Sequence, residues 1–540
     1  RLQASPSYRS WTMNKDNEKV SDVICTLEDT TLSNKEEDDI SRSQAFSTGI
    51  EICDEDYPNE VVVRSPRKSR PGPFESTGGS VYGHVAEGWE RVRQAFTENF
   101  ELNLERGAQL TIYHQSKLVV DLHGNGNCAA ESIFKTMLSR TKEKDVYNGN
   151  TIQNMYSSGK NMEVVCIAVL VDRGLLAYTD LVIKHWPEFG QFGKNDITIA
   201  DVLRHEAGVP FFTDPLVMQK RSKDRQLTKQ DVDNVEVLDR IIEASGKCYN
   251  YGRRHYHACT RGWIISGIIR RVDEQKRTFG QFMREEICIP LNLNIYCGIP
   301  RDMQKVLNIA NIIPLDSKNT MWQVAPALVG QSSDRTLKGI LNTFSDLHHP
   351  LLRHNIGNWI IPDIHCKVTN SVEGREMEFP SANVHGNARS VAIVNNIFAT
   401  GGLVPMEVPC GPGGRMKRVV RRFISAETVA KAFAEPITAH DVFLNSDTCF
   451  TQGGFAQMSE MRSTIVLPDF HETFDGFWGW GGVGGSWSLW NPVEEVSFSY
   501  MMNGRSLHPI GGPRGDRIMS AVQEVLKTIA RKKSMEASGE

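Results

Sequence analysis

Two strand patterns, one near each end of the 540-residue chain, constrain the fold most. In the first, Leu110 and Ile112, then Leu118, Val120 and Leu122, alternate with other residues about the polar link His114-Gln115-Ser116-Lys117, which predicts a hairpin. In the second, Trp487-Ser488-Leu489-Trp490 is broken by Asn491-Pro492, and Val496-Ser497-Phe498-Ser499-Tyr500 follows. A helix accompanies each pair. Trp89, Val92, Phe96 and Phe100 sit at helical spacing before the first. After the second, Ile518, Val522, Val525, Leu526 and Ile529 share one face, with Asp516 near the helix start. The stretch between reads as mostly helical. The expected fold is α+β: an antiparallel sheet flanked by helices, an α/β sandwich, built from residues 83–125 and 476–535. A helix-rich lobe over residues 150–475 is inserted into it. A cleft between sheet and lobe is the natural place for chemistry.

Residues 1–82 read as a disordered tail and linker, and residues 83–535 as one domain, with order beginning near Val85. The tail carries a basic run, Arg64-Ser65-Pro66-Arg67-Lys68-Ser69-Arg70, read as a solvated linker. The net charge of −4 and pI near 6.5 argue against nucleic acid or an acidic membrane as the main partner. The longest apolar run, Val164 to Val171, is too short to span a bilayer. Eleven scattered cysteines without a CxxC pair favour a reducing compartment, the cytoplasm. Because the chain opens on Arg1, a mitochondrial location is the alternative. Nothing in the sequence sets the oligomeric state.

The tetrad Ser157-Ser158-Gly159-Lys160 has the form SxxK. On a helix, positions i and i+3 share a face, so Lys160 would reach the Ser157 hydroxyl. A serine needs a base to act as a nucleophile, and a lysine in a cleft can lose its proton and serve as one. The same form at Ser65-Lys68 and Ser139-Lys142 lies in charged surroundings. Only Ser157 leads into Val164-Val165-Cys166-Ile167-Ala168-Val169-Leu170-Val171, which is apolar all round, as a buried central helix would be. Gly174 marks the expected end of that helix.

The segment Ile197-Thr198-Ile199-Ala200-Asp201-Val202-Leu203-Arg204-His205-Glu206-Ala207-Gly208-Val209-Pro210 resembles the one that follows SxxK in serine β-lactamase-like proteins. Gly107-Ala108-Gln109-Leu110, Arg389-Ser390 with Gly401-Gly402, and Trp478-Gly479-Trp480-Gly481-Gly482-Val483-Gly484-Gly485-Ser486 fit the same pattern in the same order. From about Gly107 to Asn503 the chain resembles the penicillin-binding-protein and class C β-lactamase superfamily, and within it the β-lactamase-related esterases. The resemblance implies that Ser157 is the acylated nucleophile and that Lys160 helps remove its proton. The family's YxN element maps onto Tyr256-His257-Ala258, with the tyrosine present and the asparagine absent. Tyr256 would be the general base or proton shuttle. The family's third element, a cation followed by Thr-Gly or Gly-Gly, reads Trp480-Gly481-Gly482, three residues assigned to substrate binding. The amides of Ser157 and Val483 would form an oxyanion hole.

These departures favour a small neutral ester or amide over a β-lactam, whose carboxylate wants the cation that Trp480 replaces. The expected activity is acyl-enzyme hydrolysis of an ester, without metal or organic cofactor. The rival is a weakly active or inactive protein of the same fold that binds or scaffolds. His205 is read as structural, His257 as structural or substrate-facing, and His385 and His471 as surface or loop residues.

Overall fold

A computed structural model describes residues 79–126, 147–213, 229–248, 254–314, 366–409, 416–444, 446–460, 473–506 and 512–538. These all fall within one compact unit, Thr48–Glu540. Nearly all of the expected tail, its basic run, the tetrads at Ser65 and Ser139, and His471 lie outside the described residues.

Nine strands form the main sheet among the described residues. They are β1 (Ser80–Val85), β2 (Gly107–His114), β3 (Lys117–Asn125), β4 (Ile437–Asp441), β5 (Ser446–Phe450), β6 (Ala456–Gln457), β7 (Trp478–Gly481), β8 (Trp487–Asn491) and β9 (Val496–Met502). Their spatial order is β1-β3-β2-β9-β8-β7-β6-β5-β4, with every neighbour antiparallel. The chain ends meet at the β2–β9 seam, where Leu110 faces Tyr500. The first hairpin turns on Gln115 and Ser116, both with positive φ (53° and 60°), as a two-residue turn matched to strand twist requires.

The sheet is wider than the sequence patterns indicated. Strands β4 to β6 come from the stretch expected to be helical, and β1 starts at Ser80, ahead of Val85. Edge strand β4 leaves Thr438 and His440 exposed. Short, half-exposed strands of this kind carry too few alternating apolar positions to stand out.

Five helices position the site: α1 (Glu90–Glu101), α2 (Lys160–Asp172), α3 (Thr260–Val272), α4 (Ala388–Ala399) and α5 (Pro513–Ser538). Along β9, Val496, Phe498 and Tyr500 point to one face and Ser497 and Ser499 to the other. The large face receives α1 and α5. The Phe96 ring of α1 meets Tyr500 edge-on at 6.4 Å. Gly515 of α5 lies so close to Trp487 that a Cβ would sit 2.5 Å from the indole nitrogen. The small face receives α4: Ser488, which pairs with Ser499, donates to Asn395 Oδ1 at 2.9 Å.

Every residue of α2 from Lys160 to Leu170 is buried. Burying each of its valines, isoleucine and leucine contributes about 1.5–3 kcal/mol, so this helix is a rigid mount. It ends as expected at Gly174 (φ 67°), where the Leu175 amide donates to Leu170 O. Among the described residues no helix is long and apolar enough to cross a membrane.

Candidate active site

Ser157 sits in a 3-10 turn, Tyr156–Gly159, that runs straight into α2. Lys160, 1 % exposed, therefore begins the helix one turn after the serine. Its Nζ donates to Ala258 O and Ser381 O, both at 2.8 Å, and lies 3.3 Å from Ser157 Oγ. The third residue of the Tyr256-His257-Ala258 triplet thus supplies an acceptor through its carbonyl, although its side chain has none.

A buried ionic network fixes Ser381, one of these acceptors. Glu163, one turn beyond Lys160, accepts from Arg261 Nε at 2.6 Å and from Ser381 Oγ at 2.7 Å. Arg261, on α3, also donates to Lys160 O at 3.1 Å, and Gly262 N donates to Ser381 Oγ at 2.9 Å. A Cβ on Gly262 would fall 2.7 Å from Glu163 Oε1, so the helices meet at van der Waals limit there. Sequence reading missed Glu163, Arg261 and Ser381. The available signal was a carboxylate inside an otherwise apolar helix, which demands a buried partner.

Tyr256 approaches from the other side, on the irregular segment preceding α3. Its phenol donates to Ser157 Oγ at 2.8 Å. The Trp480 indole N–H donates to the same phenolic oxygen at 3.3 Å, and the two rings stack at 5.3 Å. Lys160 Nζ lies 4.9 Å from the Tyr256 ring centroid. Trp480 is only 3 % exposed, so it stands behind Tyr256 as a hydrogen-bond donor and packing surface.

Beyond Trp480 the chain turns at residues 482–485. A Cβ on Gly482 would lie 2.3 Å from Met155 O and 3.1 Å from Ser158 Oγ, so the glycine lets this turn lie against the serine turn. Ser486 ties the two together through Ser158 Oγ (2.9 Å) and Met155 O (3.0 Å). Val483 is 40 % exposed. Among the described residues neither the Ser157 nor the Val483 amide has a hydrogen-bond acceptor.

Burial works against charge on two histidines near Tyr256. His205 is buried at 4.8 Å from the Tyr256 ring, and desolvation holds its imidazole well below the usual range. His257 accepts from Val209 N at 3.1 Å and donates through Nδ1 to His255 O at 2.6 Å, and burial pushes it down to about 3. His257 is therefore structural. His385 corrects an expectation: it is fully buried on the short strand Val384–Gly386, with Nδ1 at 3.0 Å from Asn383 O, and is pushed down to about 3 by burial. Among the described residues no group of three or more His, Cys, Asp or Glu is arranged to hold a metal ion.

This geometry agrees with what the chain is similar to. A sequence model of the beta-lactamase family matches residues 96–523, most of the chain, so the chain belongs to the beta-lactamase family and, with it, to the serine hydrolases. A curated relative is the esterase/beta-lactamase LipL of Mycobacterium tuberculosis, 26% identical over 451 residues, covering 82% of this chain and 86% of the relative. Two solved structures share the fold, each with a TM-score of 0.59 and 24% identity over 82% of this chain and 99% of the other. One is a penicillin-binding protein homolog from Caulobacter crescentus, the other a family VIII carboxylesterase.

Proposed function

We propose that the protein hydrolyses small neutral esters through an acyl-enzyme on Ser157. The observation that carries this reading is the approach of two proton-handling groups to one hydroxyl: Lys160 Nζ at 3.3 Å and Tyr256 Oη at 2.8 Å from Ser157 Oγ. As an amine, Lys160 commits its two N–H bonds to the Ala258 and Ser381 carbonyls and keeps its lone pair for the Ser157 proton. Ser157 attacks the ester carbonyl as Lys160 takes that proton. The oxyanion is received by the Ser157 and Val483 amides. Tyr256 gives its proton to the departing alkoxide, and the Trp480 N–H stabilises the phenolate left behind. Water then loses a proton to Tyr256 and attacks the acyl group. Ser157 leaves and recovers its proton from Lys160, which closes the cycle.

The preference for a neutral substrate rests on Trp480. Its polar atom is turned to Tyr256, and neither it nor Gly481 and Gly482 offers a charge to a substrate carboxylate. The names of the relatives, an esterase/beta-lactamase and a carboxylesterase, support the same reaction class. Incubation with a fluorophosphonate probe tests the reading. Wild type should be labelled covalently and Ser157→Ala should not. An unlabelled, folded wild type would instead favour a protein that keeps the fold for binding or scaffolding.

A further inference from the structure

We infer that Asp441, at the end of edge strand β4, is a positioning residue that sets the distance between Tyr256 and Ser157. The inference rests on the proposed role of Tyr256. Asp441 is 0 % exposed, and its Oδ1 accepts three backbone N–H groups: Tyr256 at 3.1 Å, Phe443 at 3.0 Å and Leu444 at 3.0 Å. The last two close a turn onto the aspartate's own side chain. The first reaches across 185 residues of sequence to the tyrosine backbone. Phe443, held by the same oxygen, packs its ring 5.8 Å from the Tyr256 ring. One carboxylate oxygen therefore holds both the main chain of Tyr256 and a side chain packed against it.

The rest of the segment shows why this anchor matters. Tyr256 precedes α3 and belongs to no helix or strand, so no local hydrogen-bond ladder fixes it. Its neighbours are held by other long-range bonds: His255 N to His205 O at 3.1 Å and Val442 N to Arg254 O at 3.2 Å. The nearby Arg254 makes no hydrogen bond to the carboxylate: its Nη2 pairs with Glu206 at 2.7 Å and its Nη1 bonds Thr448, while its charge favours the ionised aspartate. Asp441 Oδ2 has no hydrogen-bond partner among the described residues. A buried carboxylate with one idle oxygen is costly to keep for packing alone. Its use is the triple acceptor on the other oxygen. Burial also raises its affinity for a proton, so the three N–H donors work against desolvation.

The test compares Asp441→Ala, Asp441→Asn and Tyr256→Phe on para-nitrophenyl butyrate, with thermal unfolding as the check on folding. Asp441→Ala should lower kcat on the order of 10²-fold with KM little changed, the cost expected when a catalytic group shifts by about 1 Å. Asp441→Asn keeps an oxygen for the three N–H groups and should restore activity to within about tenfold of wild type, since a neutral acceptor bonds roughly half as strongly. Asp441→Ser, with a shorter acceptor, carries the same test should the alanine variant fail to fold. A folded Asp441→Ala with wild-type kcat beside an impaired Tyr256→Phe overturns this inference and leaves the proposed reaction standing. A fully active Tyr256→Phe removes the proposed role of the tyrosine and this inference with it. Equal losses in the asparagine and alanine variants also overturn it, because the acceptor geometry would then not be what counts.

Discussion

The two groups that flank Ser157 are held by different physics. Lys160 opens a rigid, buried helix one turn after the serine, and one of its hydrogen-bond partners, Ser381, is tied to the Glu163–Arg261 ion pair. Tyr256 comes from an irregular segment, 99 residues away in sequence, and is set by an aromatic wall and a distant aspartate. One side is positioned by helix geometry and charge, the other by stacking and side chain to backbone bonds. The difference teaches that the lysine side should tolerate strain poorly but hold its geometry, while the tyrosine side should lose geometry before it loses fold.

Four substitutions can break or sharpen this contrast. The largest effect is expected from Tyr256→Phe, which removes the phenol proposed to carry a proton: kcat on a neutral ester should fall about 10²–10⁴-fold while the melting temperature changes little. Steady-state kinetics beside calorimetry would check it. Glu163→Gln strikes the lysine side instead. It leaves Arg261 as an unpaired buried cation, and breaking a buried pair costs about 3–5 kcal/mol, so denaturant unfolding should show a large drop in stability. A smaller effect is expected from Trp480→Phe. The stack remains but the N–H to Tyr256 is lost, and kcat should fall by roughly tenfold, the worth of one hydrogen bond to the phenolate that the proposed reaction forms.

The smallest effect concerns acid. His257 in the folded chain is pushed down to about 3, against about 6.5 when unfolded. Between these values the unfolded chain binds a proton that the folded chain refuses. The stabilisation is therefore fully present above pH 6.5 and is lost as pH falls through the window toward 3. His257→Gln should flatten the dependence of the unfolding midpoint on pH between about 7.5 and 5. An unchanged slope would show that His257 does not carry this acid sensitivity.

The same contrast explains what the sequence made legible. The Ser157–Lys160 relation is local, one turn apart and ahead of an apolar run, so spacing together with that run pointed to it. The β2–β9 seam was legible because both strands alternate large side chains with small or polar ones over several residues. Tyr256 entered only through family resemblance, since no periodicity links a residue in an irregular segment to a serine 99 positions away. Asp441 had no local signal at all: its partners are backbone amides, which every sequence contains. The strands β4 to β6 were missed for a related reason. They are short and lie at the sheet's far edge, where pairing with a neighbour rather than side-chain pattern defines them.

The β2–β9 seam joins residues 107–114 to residues 496–502. During synthesis Ser157 emerges long before the turn bearing Val483, and strand β9, which closes the sheet against β2, follows later still. On the ribosome, β2 must wait without its β9 partner until residue 502 has cleared the exit tunnel. Such late, long-range closure slows folding and exposes the chain to aggregation. Messenger truncations ahead of β9 should therefore yield insoluble product instead of a partly working hydrolase.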